Sequence, residues 1–146
     1  FLELSKIIND FKDLPVYLET EWELPKGKQN KNELYHKTAK RELEEETNIH
    51  NEDYELIINT SPINERFTGE DDVEYENIYY IGVCNNIKNI IINKNNLHQV
   101  NEVKNLGLYS RDEAISKIRK YNKSKIIIIN KIFDFVDKYK NDLILK

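Results

Sequence analysis

The sequence predicts an α/β fold in which helices cover a mixed sheet. Three observations predict it. Apolar residues recur at helical spacing near both ends of the chain, short alternating or β-branched runs lie between them, and turn residues separate the two kinds of segment. A chain of 146 residues suits one domain with a sizeable core.

Taken in order, Leu4, Ile7, Ile8 and Phe11 predict an amphipathic helix over 2–13, stopped before Pro15. Partial alternation over 16–24 predicts a strand ending at the LPKGK loop. A helix is expected from Glu33 to Thr47. A strand follows at Tyr54, Leu56 and Ile58, closed by the turn residues 59–62. The run VEYENIYYIGVC, residues 73–84, reads as one longer strand with a buried end, followed by a short apolar segment at 90–92. Residues 106–109 read as another short strand. Ser110, with Glu113 three residues on, forms a capping-box pattern at the head of a helix. A last helix is expected from Ser124 into the 140s, with Ile127, Phe133, Val136 and Tyr139 near helical spacing.

Charged residues make up 33% of the chain and apolar ones 39%, the balance of a globular domain in water. The longest apolar run, IIII at 126–129, falls far short of the roughly 18 residues of a membrane span. No signal-peptide pattern opens the sequence. Cys84 is the single cysteine, so an internal disulfide is excluded and a reducing compartment is favoured. It ends an apolar strand and is expected to pack. His36, His50 and His98 lack the spacing of a zinc site and are expected to face solvent. There is no Met and the chain begins with Phe1, which predicts a fragment of a longer protein.

The net charge of −4 conceals an asymmetry. Residues 1–103 carry 11 Lys/Arg against 21 Asp/Glu, whereas residues 104–146 carry 11 against 5. The basic end points to a polyanionic partner, with a solvated helix face as the alternative on composition alone.

The stretch RELEEETN, residues 41–48, holds the chemistry. On a helix, Glu42, Glu45 and Glu46 share one face, where each like-charge pair costs about a few tenths of a kcal/mol. The helix C-terminus disfavours anions further. An acceptor-only oxygen cluster of this kind suits a hard divalent cation, Mg²⁺ or Mn²⁺, which converts repulsion into coordination. Just upstream, Lys26, Gly27 and Lys28 form a cationic loop. Gly27 permits close backbone approach, and its carbonyl is a further candidate metal ligand. Metal, lysines and a glycine loop together describe a site for phosphate oxygens.

From Gly27, five residues lead to Glu33 and seven more to Arg41, followed by Glu42, Leu43, Glu44, Glu45, Glu46, Thr47, Asn48 and Ile49. This pattern resembles the Nudix box, G-x5-E-x7-R-E-U-x-E-E-x-G-U with U apolar. The one departure is Asn48 in place of glycine. That position is expected to need a left-handed backbone, where asparagine is the usual second choice.

The resemblance implies a Nudix-type α/β/α sandwich with a mixed sheet and hydrolysis of a nucleoside diphosphate linked to another moiety, assisted by a divalent metal. Glu42, Glu45 and Glu46 match the metal-binding glutamates, and Gly27 matches the residue whose carbonyl joins them. Arg41 matches an arginine that orients a glutamate, and Glu33 a mainly structural acid. Glu44, on another face, is expected to be solvated.

The segment WELPKGK, residues 22–28, is similar to the entry to the box in mRNA-decapping Nudix enzymes, although diadenosine polyphosphate hydrolases share part of it. Glu102 in NEVKNLGLYS stands in a setting similar to that of a decapping glutamate that reaches the metal from outside the box. ERFTG with YENIYYI, and then SRDEAISKIRKYN, resemble decapping enzymes of large cytoplasmic DNA viruses, of the African-swine-fever and giant-virus type. That group has a helical region inserted after the first Nudix strand. Residues 1–14 are accordingly expected to end such a region and 15–146 to form the Nudix domain, its first strand lying before Phe1.

The implied reaction is mRNA decapping in the cytoplasm, releasing m7GDP and 5′-monophosphate RNA. Glu45 or Glu102 is the candidate base. Lys26, Lys28 and Arg66 are expected to offset phosphate charge, and Lys117, Arg119, Lys120, Lys123 and Lys125 to attract the RNA body. Tyr75, Phe67 and Tyr17 are the candidates for stacking on the cap. Dinucleoside polyphosphates, nucleotides and diphosphoinositol polyphosphates are the alternative substrates.

Overall fold

The computed structural model of the chain describes residues 18–87, Ile90 and 92–144, the side chains of residues 143 and 144 excepted. The expected helix at 2–13, Tyr17 and the boundary at residue 14 lie outside the described residues, as does part of the apolar segment at 90–92. The described elements are α1 (Tyr35–Thr47), β1 (Tyr54–Leu56), β2 (Ile63–Thr68), β3 (Glu74–Tyr79), β4 (Gly82–Cys84), α2 (Leu97–Glu102), α3 (Arg111–Lys117) and α4 (Lys123–Ile144). A run of four strands lies between α1 and the three later helices, so helices and strands together make an α/β fold.

The strand pairs are both antiparallel. β1 pairs with β4, Tyr54 opposite Cys84 and Leu56 opposite Gly82. β2 pairs with β3, from Ile63 opposite Tyr79 to Thr68 opposite Glu74. The predicted strand at 73–84 is thus divided, because its first half pairs with β2 and its last three residues pair with β1. The Ile57 N–H donating to the Ile81 carbonyl at 2.8 Å marks the handover. The β2–β3 turn closes with Asp72 at φ 58° and the Gly69 N–H on the Val73 carbonyl at 2.8 Å.

Among the described residues, two expected strands are not formed. Residues 18–24 pair with no strand among the described residues. Instead Glu19, Glu21 and Glu23 meet Arg119, Tyr121 and Lys125 in turn. Residues 106–109 are likewise irregular, with Tyr109 packed edge-on against Trp22 at a ring-centroid distance of 5.4 Å. Two elements were not predicted: β2, and the short helix α2 that ends at Glu102.

α4 packs on β2 and on α3, and α1 packs on α2. The buried apolar residues Ile128, Ile129, Ile118, Tyr79, Tyr54 and Ile49 form the core between them. Beside the core sits an ionic cluster. Lys125, only 3% exposed, donates to Glu65 Oε2 at 3.1 Å and to the Tyr79 hydroxyl, while Ser124 Oγ donates to Glu65 Oε1 at 2.6 Å. The capping box at α3 is present, with Glu113 Oε2 accepting from the Ser110 N–H at 2.8 Å. Among the described residues no helix is long and apolar enough to cross a membrane.

Candidate active site

α1 carries the carboxylate face. It is built from strong helix formers (Ala39, Arg41, Glu42, Leu43, Glu44, Glu45) and ends at Asn48. Asn48 adopts φ 61° and ψ 17°, the left-handed conformation expected of it, and its N–H donates to the Glu44 carbonyl at 3.0 Å. The helix start is tied down by Glu33, whose carboxylate accepts from the Asn30 N–H and the Thr38 hydroxyl, both at 3.0 Å.

Arg41 organises the face. Its Nε and Nη2 hold Glu33 at 3.0 and 3.1 Å, and Nη2 also donates to the Lys28 carbonyl at 3.0 Å. Nη1 donates to Glu42 Oε1 at 2.6 Å and to Glu45 Oε2 at 3.1 Å. The Arg41 guanidinium, followed by the Asn30 N–H, holds the Glu33 carboxyl at about 2, well below the ordinary 4.5. Glu33 is therefore a permanent anchor for the arginine.

The loop from Lys26 to Lys28 closes over this face. The Lys26 N–H donates to Glu46 Oε2 at 3.1 Å. Gly27 lies so close to Glu42 that a Cβ built on it would overlap the Glu42 carboxylate. Its role is close approach, since its φ is not in the left-handed region. Glu46 is pushed up to about 7, first by burial and then by the charges of Glu42 and Glu102; the Lys26 N–H opposes this. Glu102, at the end of α2, is thereby placed near Glu46, although the strand expected after it is not formed.

Glu46, Glu102 and Lys26 line a cavity of about 830 Å³ together with Trp22, Tyr109 and Lys117. The Lys117 ammonium stands 4.8 Å from the centre of the Trp22 ring and 5.0 Å from that of Tyr109. Neither aromatic was expected at the site. Trp22 opens the WELPKGK segment, and only a long-range contact brings Tyr109 to it.

Several expected site residues lie elsewhere or are engaged. Arg66 sits on the β2–β3 hairpin, paired with Glu76 at 3.1 Å, and does not line the cavity. Phe67 and Tyr75 stack on each other, with centroids 5.5 Å apart. Of the predicted RNA-contacting cations, Lys120 and Lys123 are exposed. Lys117 is drawn over the aromatics, and Arg119 Nη2 donates to the Glu19 carbonyl at 2.7 Å. Lys125 is a correction: buried against Glu65, it offers no charge to the surface. Glu44 is half exposed and bonded to His50 Nδ1 at 2.8 Å.

The NUDIX domain family matches residues 13–130. This chain belongs to the Nudix family. It is 32% identical over 140 residues to a candidate mRNA-decapping protein of Acanthamoeba polyphaga mimivirus, a match covering 87% of this chain and 38% of that protein. It is 30% identical over 141 residues to the mRNA-decapping protein g5R of African swine fever virus (isolate Pig/Kenya/KEN-50/1950), covering 94% of this chain and 55% of that protein. The chain spans about half or less of the length of these curated relatives. No solved structure gives a significant match.

Nudix hydrolases generally use divalent metal cations, and the donor set here fits one. Every candidate ligand is a hard oxygen, from Glu42, Glu45, Glu46 and the Gly27 carbonyl. Glu46 and Glu42 also repel each other in a way that a cation relieves. Among the described residues no three His, Cys, Asp or Glu side chains yet converge as a closed ligand group. Glu42 and Glu45 are turned to Arg41 instead.

Proposed function

We propose that this chain is a metal-dependent Nudix pyrophosphohydrolase acting on capped mRNA, releasing m7GDP and 5′-monophosphate RNA. The observation that carries the reading is the meeting of Glu46, Glu102 and Lys26 in one aromatic-walled cavity of about 830 Å³, a size that accommodates a nucleotide. The decapping descriptions of the two viral relatives support the choice of substrate. They also support a viral protein at work in the host cytoplasm.

Glu42, Glu45, Glu46 and the Gly27 carbonyl would hold Mg²⁺ or Mn²⁺, which when bound neutralises phosphate charge and makes water a better nucleophile. Water attacks a phosphorus of the cap's polyphosphate bridge, the bridging P–O bond breaks, and a glutamate takes the proton. Glu102 is the better placed of the two candidate bases. It lines the cavity, whereas Glu45 Oε2 is held by Arg41 at 3.1 Å. Lys26, Lys28 and Lys117 are the cations for substrate phosphates, and Lys120 and Lys123 the exposed contacts for an RNA body.

A second reading is favoured by one observation. Arg119 and Lys125 are engaged within the fold, which leaves a smaller basic face than composition suggested and suits dinucleoside polyphosphates or nucleotides. Incubation with cap-labelled RNA and with diadenosine tetraphosphate, each with Mg²⁺ or Mn²⁺, separates the two. Decapping predicts labelled m7GDP from the RNA. Cleavage of the dinucleotide alone would overturn it.

A further inference from the structure

The entry segment and the C-terminal basic region meet residue against residue. The Glu19 carbonyl accepts from Arg119 at 2.7 Å, Glu21 Oε2 from the Tyr121 hydroxyl at 3.2 Å, and Glu23 Oε2 stands 3.4 Å from Lys125 Nζ. The first two contacts are exposed. The third ends on a lysine whose side chain is only 4% exposed.

A buried ammonium needs a counter-charge, and Glu65 at 3.1 Å already supplies one. The Lys125 ammonium meets three parts of the molecule: it donates to Glu65 on β2 and to Tyr79 on β3, and it forms an ion pair with Glu23 in the entry segment. From Glu23 the connection continues toward the carboxylates. Glu23 Oε2 is also ion-paired with Lys26 Nζ at 2.9 Å, and the Lys26 N–H holds Glu46 Oε2 at 3.1 Å. The next residue, Gly27, has no room for a Cβ beside Glu42, so a small shift of this loop would alter both carboxylates.

We propose that Lys125 is a positioning residue for the carboxylate site: through Glu23 it seats the Lys26–Gly27 loop against Glu42 and Glu46. The proposal rests on the metal-site reading above. It gives the buried end of the basic region a task in the site without contact with substrate.

The informative variant is Glu23→Gln in the full chain, because it leaves Lys125, Glu65 and Tyr79 bonded to one another. Lys125→Met, by contrast, strands Glu65 and is expected to unfold the protein. Mn²⁺ affinity is read directly from the EPR signal of free Mn²⁺, alongside Tm. Glu23→Gln is expected to weaken Mn²⁺ binding about tenfold, as loss of an outer partner does, with Tm close to that of the parent. Glu21→Gln, at an exposed contact, is expected to leave the affinity unchanged. An unchanged affinity in Glu23→Gln, or loss of cooperative thermal unfolding in that variant, would overturn the proposal and leave Lys125 purely structural. A parent protein that binds no Mn²⁺ would overturn the metal reading and the proposal together.

Discussion

Gln99 Nε2 donates to the main-chain carbonyl of Glu46 at 3.0 Å, and Gln99 is fully shielded from solvent. That carbonyl is one of four at the end of α1 with no partner inside the helix. Its neighbours are met in turn, Glu45 by Asn96 Nδ2 at 3.2 Å and Glu44 by the Asn48 N–H at 3.0 Å. Gln99 also accepts from the Asn93 N–H at 2.6 Å through Oε1. Helix α2 therefore anchors the carboxylate helix as well as presenting Glu102. Gln99→Leu leaves a buried donor and a buried acceptor unpaired, and is expected to cost about 2–4 kcal/mol in urea unfolding.

Gly27→Ala tests the loop from the other side. The new methyl group would overlap the Glu42 carboxylate, so either the loop or the carboxylate must move. Mn²⁺ affinity and turnover are expected to fall about tenfold or more, the size of a misplaced metal shell. The far-UV CD spectrum should not change, since Gly27 lies outside every helix and strand. Parent-like affinity in this variant would remove Gly27 from the site.

Helix α1 and its left-handed end at Asn48 were legible because their determinants are local: strong helix formers, then a residue that tolerates positive φ. The clustering of Glu42, Glu45 and Glu46 on that helix was legible for the same reason. β2 was not, because its buried residue is an acid. Glu65 sits beside the core because Asn77, Tyr79, Ser124 and Lys125, the last sixty residues on, all bond to it. Hydropathy reads Glu65 and Lys125 as surface residues, which also made Lys125 look like an RNA contact. α2 escaped notice likewise, its buried residue being Gln99. The alternation at 18–24 brought Glu19, Glu21 and Glu23 to Arg119, Tyr121 and Lys125 instead of to a neighbouring strand.

Glu65 makes an acid-side prediction. Burial by itself would raise its carboxyl, but bonds from Ser124, Tyr79, Asn77 and Lys125 outweigh it and hold the group at about 2 against an ordinary 4.5. A carboxyl depressed on folding stabilises the protein above its unfolded value and loses that contribution as it protonates. Stability is thus expected to fall as pH drops from about 4.5 toward 2. In Glu65→Gln the same slope, measured by urea unfolding across that range, should be shallower. An identical slope would show that other carboxylates control acid unfolding.

Glu46→Gln should separate function from stability. In the metal-free parent, folding raises this carboxyl to about 7 through burial and the charges of Glu42 and Glu102. A carboxyl raised on folding favours the native state below its unfolded value, and that advantage is lost as pH rises through the folded one. The neutral amide escapes the loss. The metal-free variant is therefore expected to melt at or above the parent Tm at pH 8, and to lose any such advantage at pH 4. Its turnover with Mg²⁺ or Mn²⁺ is expected to fall about 100-fold, because an oxygen ligand to the cation has gone. A residue that merely supported the fold would lower Tm and turnover together. Opposite signs at pH 8 would mark Glu46 as a group held in an unfavourable environment for the sake of a cation.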